Sequence, residues 1–374
     1  MDNVKINLGI SEDNINILYP MCDEQENSHI LILGKSGAGK SCAKSEIICQ
    51  LLNNKKRVIE IDFSNSTRKS YYPLHMCQKI NIKTSDMISL FERFHKLNGD
   101  LEEEADYCRR IAEIICKKCK FREKQRAILL RILIYTLRDY KAEQLTLDMI
   151  INTLLKKDID ESVQISIYNK LFIINNIKSF NTKKSCWNKI FSEKKYQMTI
   201  LDLSEFNEPE RSMVAELILE NLKCYLQYNM KEQIDFQLVI DECKELSYET
   251  NMPMDFFLTQ GRKYKCGLIL VTQTLSDFKK NEKSKLLQPS LMLNFKPSYN
   301  EVELVAKLIP QNKQKPKIEE EIRNLCKGQC IATGRFLNKI NQVTDSYSLK
   351  VNFQINNILY FKEKFIKSKD MSNY

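Results

Sequence analysis

Eight residues, Gly34-Lys-Ser-Gly-Ala-Gly-Lys40-Ser41, carry the clearest chemistry in this chain. They fit GxxxxGK(S/T) in full and hold three of the nine glycines in 374 residues. Glycines at this spacing let a loop curl until consecutive backbone N–H groups converge on phosphate oxygens. A helix that begins within the loop adds partial positive charge at its N-terminus. Lys40 then reaches the β- and γ-phosphates of a nucleotide, and the Ser41 hydroxyl ligates Mg²⁺. The residues expected to bind ATP are Gly34, Lys35, Ser36, Gly37, Ala38, Gly39, Lys40, Ser41 and Cys42.

A second constellation is the acidic pair Asp241-Glu242, directly after the apolar run Leu238-Val-Ile240. Two carboxylates at a strand end form a Walker B arrangement. Asp241 would hold Mg²⁺, commonly through water, and Glu242 would orient and polarise an attacking water. The expected metal set is Ser41 and Asp241.

Such residues need elements to hold them. His29-Ile-Leu-Ile-Leu33 reads as a strand running into the glycine loop, Lys40–Leu52 as a helix leaving it, and Arg57–Asp62 as the next strand. This is a βαβ opening, which implies a parallel sheet. Val4–Leu8 and Asn14–Leu18 are strand candidates ahead of it. Between Thr67 and Lys195 the pattern turns helical. Met87, Leu90, Phe91, Phe94 and Leu97 form one amphipathic stripe, and Leu101, Ala105, Cys108, Ala112, Ile115 and Cys119 form another. Further helices are read at Gln125–Tyr140, Leu145–Leu155 and Val163–Ile177. Strands resume at Met198–Leu203, Phe236–Ile240 and Gly267–Thr272, and later at Leu291–Phe295, Gln329–Thr333 and Tyr347–Phe353. A helix through Met213 and Tyr225 and one ending near Tyr264 lie between them, and the Lys-rich tail beyond Asn357 reads as a terminal helix. The expected division is a core of residues 1–66 and 197–374 with an all-α insertion at 67–196.

The stretch Gln260-Gly-Arg-Lys-Tyr-Lys-Cys-Gly-Leu-Ile-Leu-Val-Thr-Gln273 resembles the HerA/FtsK superfamily, whose members read GRK(Y/F)GxGLxxxTQ at this place. Ile200-Leu-Asp-Leu-Ser204 and Arg57–Asp62 also resemble strands of that family. The resemblance covers about residues 30–62 and 198–278. It implies a RecA-like α/β core and a homo-oligomeric ring, a hexamer, that hydrolyses ATP with Mg²⁺ and moves on double-stranded DNA. It implies that Gln273 contacts the γ-phosphate or attacking water. It also implies that Arg262 is offered in trans to a neighbouring subunit's nucleotide, where a guanidinium neutralises charge building on the phosphoryl oxygens. Arg335 is a second arginine candidate. Lys265-Cys266 departs from the family's small or apolar residues. Only 33 residues precede Gly34, so the family's N-terminal β-barrel is expected to be absent or a stub, and no membrane anchor is read there.

Composition narrows the setting. Hydrophobic residues make up 43% and charged residues 28%, ordinary for a globular chain. No apolar run reaches the ~18–20 residues that span a bilayer, and no signal peptide is read, so the expected location is the cytoplasm. Thirteen cysteines, with no secretion signal, read as reduced thiols. Cys116 and Cys119, or Cys326 and Cys330, would need further ligands to hold zinc, and the only histidines are His29, His75 and His95. The formal charge of +10 favours a polyanionic partner. Lys244, Lys279, Lys280, Lys283 and Lys285 are candidates for phosphate contacts. Two other function classes stay open: an ATPase scaffold that switches a nuclease or other effector, as in anti-phage defence, and a conjugation or type IV secretion ATPase.

Overall fold

The computed structural model describes residues 4–22, 25, 27–64, 72–96, 98–172, 177–182, 184–228, 235–310 and 315–360. Alternation along single strands shows how the layers arise. In β3 (Ile30–Leu33) the side chains of Ile30 and Ile32 enter one core, while Leu31 and Leu33 enter the other. All four are buried, as expected for a strand covered on both faces. The next elements are α1 (Lys40–Asn53) and β4 (Arg57–Asp62), so the βαβ reading holds.

The described strands form one sheet in the order β2-β1-β11-β10-β9-β3-β8-β7-β4-β6-β5. Here β1 is Val4–Ser11, β2 Asn16–Met21, β5 Cys77–Asn81, β6 Met198–Asp202, β7 Phe236–Ile240, β8 Cys266–Thr272, β9 Leu291–Phe295, β10 Gln329–Gly334 and β11 Tyr347–Phe353. From β9 across to β5 every pairing is parallel. Strands β10, β11, β1 and β2 extend the sheet antiparallel. One face carries α1, and the other carries the larger core, into which most of the remaining helices pack.

The stretch 67–196 contains α2 (Glu104–Lys118), α3 (Glu123–Tyr140), α4 (Leu147–Lys156), α5 (Glu161–Phe172) and α6 (Trp187–Ser192). The expectation that it is helical throughout needs two corrections. First, β5 lies inside it and pairs in parallel with β6, Cys77 opposite Met198. Second, the stripe from Met87 to Phe94 is not a helix, although Ile88, Leu90, Phe91 and Phe94 are buried. Distant side chains replace the helical ladder there. Asn221 Nδ2 donates to the Ser89 carbonyl at 2.8 Å, the Ser89 N–H donates to Ser185 Oγ at 2.9 Å, and the Tyr107 hydroxyl donates to the Phe91 carbonyl. Leu97 of that stripe, the 173–176 end of the helix read as Val163–Ile177, and the tail from 361 lie outside the described residues.

The helical stretch is seated on α7 (Glu208–Tyr228). Trp187 Nε1 donates to Asn221 Oδ1, and Lys118 pairs with the buried Glu216 at 2.9 Å. After α7 come α8 (Pro253–Gln260), a 3₁₀ turn Gly261–Tyr264, α9 (Lys280–Leu286), α10 (Val302–Ala306) and α11 (Lys315–Arg323).

Candidate nucleotide site

Strand register brings the chemistry to one edge of the sheet. Leu33 of β3 is level with Thr272 of β8, and Ile240 of β7 is level with Leu270. Gly34, Asp241 and Gln273 therefore follow three neighbouring strands at their C-terminal ends, the place where open α/β sheets bind ligands.

The loop has the backbone that its glycines allow. Gly34 sits at φ 148°, and a Cβ there would lie 2.7 Å from Phe295 Cβ on β9. Gly39 is at φ 118°, caps α1, and packs against Gly328, whose N–H donates to the Ala38 carbonyl at 3.0 Å. The first amides of α1 lack intrahelical partners and suit an anion. Lys40 Nζ curls back to donate to the Lys35 carbonyl at 3.0 Å. Burial pulls its ammonium below the usual value, while Glu242 and Asp241 pull it back. The two motifs thus lie within electrostatic reach of each other.

Across the edge, Gln273 Nε2 donates to Glu242 Oε1 at 2.8 Å. Glu242 Oε2 is buried and has no protein partner. Glu242 also sits at φ 57°, a left-handed conformation that is costly for a residue with a side chain. Asp241 Oδ1 accepts the Glu242 N–H at 3.1 Å. A Mg²⁺-nucleotide fits this donor set: the curled loop and Lys40 for phosphates, and an orphaned carboxylate oxygen with capacity to accept from a water. Ser41 and Asp241 are the residues that would hold the metal. Bound there, the ion would neutralise charge on the phosphate oxygens.

Arg262 is not part of this edge. It lies in the turn before β8, exposed, about 20 Å of strand away from Gln273. It lines a small cleft with Met21, Gln25, Lys56, Asp235 and Gln237. Arg335 follows Gly334, which pairs with Leu291 at the start of β9, so it shares that opposite edge; its Nε donates to the Thr344 carbonyl at 3.0 Å. Of the lysines read as phosphate contacts, Lys279, Lys280, Lys283 and Lys285 fall in or beside α9, and Lys244 lies in the 3₁₀ turn after β7. Lys279 pairs with Glu249 at 2.9 Å, Lys285 with Asp255 at 2.5 Å, and Lys244 approaches Asp277 at 4.0 Å. Lys280 is exposed and Lys283 half-buried. All thirteen cysteines are free. Burial pushes the Cys116 thiol up to about 12 and the Cys119 thiol up to about 11, and no cluster of metal-ligating side chains occurs among the described residues.

Sequence reading missed Lys44 and Glu60, a buried charged pair joined to Asp241. The signal was present: Glu60 is a carboxylate in the middle of an apolar strand buried on both faces, and such a group needs a partner. The two carboxylates outweigh the burial that opposes Lys44's charge and hold its ammonium charged well above the usual range. Glu301 was missed as well; its carboxylate accepts the Leu275 and Ser276 N–H groups at 2.7 and 3.1 Å, pinning the loop that carries Gln273.

Residues 22–344 match the model of the AAA-like domain family, and the chain belongs to that family. It is a P-loop ATPase of the FtsK/HerA type. Among solved structures it is similar to VirB4 of Thermoanaerobacter pseudethanolicus, with 16% identity, 95% of this chain and 97% of that chain covered, and a TM-score of 0.70. The bacterial conjugative coupling protein TrwB is also similar, with 13% identity, 93% and 88% covered, and a TM-score of 0.64. TrwB in complex with ADP and Mg²⁺ matches at 14% identity over 90% and 87%, with a TM-score of 0.63. No curated protein matches in sequence. No helix among the described residues is long and apolar enough to cross a membrane.

Proposed function

We propose that this chain hydrolyses ATP with Mg²⁺ as a homo-oligomeric ring, a hexamer, and energises conjugation-type transfer. The observation that carries hydrolysis is the convergence of Lys40, Asp241, Glu242 and Gln273 on one sheet edge, with a free oxygen of Glu242 left for water. The same edge cannot supply Arg262, so that arginine would act on a neighbour's nucleotide. The transfer reading draws on the likeness of over nine-tenths of this chain to the solved structures of VirB4 and TrwBdeltaN70.

A second reading, a HerA-like DNA translocase or helicase, is supported by the net charge of +10. Service to a nuclease or other effector in anti-phage defence is a narrower form of it. In both readings residues 1–66 and 197–374, joined in the sheet by β5, act as the motor core, with the helical part of 67–196 as a subdomain.

The test is the ATPase rate with and without linear double-stranded DNA, at low and moderate salt. Lys40→Ala serves as control and is expected to abolish tight nucleotide binding. Stimulation by DNA that fades with salt favours a DNA motor. A rate indifferent to DNA favours a transfer ATPase driven by a protein partner, and no hydrolysis above the Lys40→Ala background would sink both readings.

A further inference from the structure

Lys44 lies one turn beyond Ser41 on α1, and its side chain is 1% exposed. Its Nζ donates to Glu60 Oε1 at 2.6 Å and to Asp241 Oδ2 at 2.7 Å. Glu60 belongs to β4 and is fully buried, and Asp241 follows β7, the strand beside it. One ammonium therefore ties the helix that leaves the phosphate loop to two adjacent strands. The Asp241 carboxylate is gripped from both sides, Oδ2 by Lys44 and Oδ1 by the Glu242 N–H.

Stability alone is a poor reason for this arrangement. Desolvating such charges costs several kcal/mol per ion, and apolar residues of similar volume often serve a core as well or better. Glu60 Oε2 even remains buried without a partner. The arrangement does give a fixed orientation to a carboxylate whose direction matters, since a metal ligand needs a defined orientation and groups behind it commonly supply it.

We infer that Lys44, anchored by Glu60, is a positioning residue for the metal: in the metal-free protein it holds Asp241 in the orientation that Mg²⁺ then uses. The inference rests on the Mg²⁺-ATPase reading above. It sets Lys44 apart from Lys40: Lys40 faces the phosphates, while Lys44 faces the ligand of the metal.

The experiment is a binding titration, without turnover. A fluorescent ADP is bound in EDTA, and Mg²⁺ is then titrated into the complex, for the parent and for Lys44→Met/Glu60→Met. The double variant removes both charges and is expected to melt near the parent and to bind ADP in EDTA as the parent does. Its Mg²⁺ midpoint should rise about 10- to 100-fold. A folded double variant with the parent's midpoint overturns the inference. If it does not fold, Lys44→Gln, which keeps a donor on the stem but no charge, carries the same titration, and an unshifted midpoint overturns the inference there too. A parent whose ADP affinity is indifferent to Mg²⁺ would overturn the magnesium reading itself, and this inference with it.

Discussion

Gln273 and Glu242 are hydrogen-bonded across 2.8 Å, the amide donating to one carboxylate oxygen while the other stays buried and unpartnered. The amide comes from the first residue beyond β8 and the carboxylate from the second residue beyond β7, so two adjacent parallel strands meet just past the sheet. The bond fixes which oxygen of Glu242 faces the site.

Removing the amide should therefore cost catalysis and spare binding. Gln273→Ala is expected to lower the ATPase turnover about 10²-fold, within the range for a misaligned general base, with nucleotide affinity little changed. Glu242→Gln should lose more turnover and retain ATP on the protein. Rapid filtration of labelled ATP alongside steady-state rates separates the two effects. A Gln273→Ala protein with normal turnover would show that the bond is incidental.

Arg262 lies on the far edge of the sheet from its own phosphate loop, which makes a complementation test decisive. Arg262→Ala and Lys40→Ala should each be inactive alone, the first still binding ATP. Mixed, they should regain part of the parent rate, because a Lys40→Ala subunit can lend Arg262 to a neighbour whose loop is intact. Mixtures no more active than their components would exclude an arginine given in trans.

His29 predicts a pH dependence of stability. It is buried at the start of β3, where its Nδ1 accepts the Leu268 N–H at 3.1 Å. Burial lowers its pKa from 6.5 to about 4, against a weaker opposing pull from a backbone hydrogen bond to Leu258. The folded state binds the proton less readily than the unfolded chain, so its stabilising share is complete above pH 6.5 and is lost as pH falls through about 4. That share is roughly 3 kcal/mol. Thermal melts from pH 7.5 to 4.5 should fall more steeply for the parent than for His29→Gln. Parallel curves would count against this residue.

Much of this was legible in the chain. Arg57–Asp62, Phe236–Ile240 and Leu291–Phe295 coincide with observed strands, because buried parallel strands are largely apolar runs bounded by polar turns; Tyr347–Phe353 also coincides, although only Val351 in it is buried. The glycine loop and the acidic pair announce themselves by composition. Strand β5 did not: Cys77-Gln-Lys-Ile-Asn lies at the sheet edge with Ile80 alone fully buried, so it shows no apolar run. The segment around Phe91 has the spacing of a helix, but its backbone is satisfied by residues such as Asn221, more than a hundred positions away. The pairing of Lys44 with Glu60 and Asp241 likewise depends on which strands become neighbours, which periodicity does not encode.

Strands β5 and β6 run parallel and side by side, with the helical stretch joining the top of one to the bottom of the next. That makes the stretch the crossover of a β-unit as well as an appendage. A tight turn cannot replace it, since parallel neighbours need a return path of about a dozen residues. A shortened protein that keeps β5 in place must therefore carry a linker able to climb the full height of the sheet. One that does not would free β5 and leave β6 as the new sheet edge, with its hydrogen-bonding groups open to other chains.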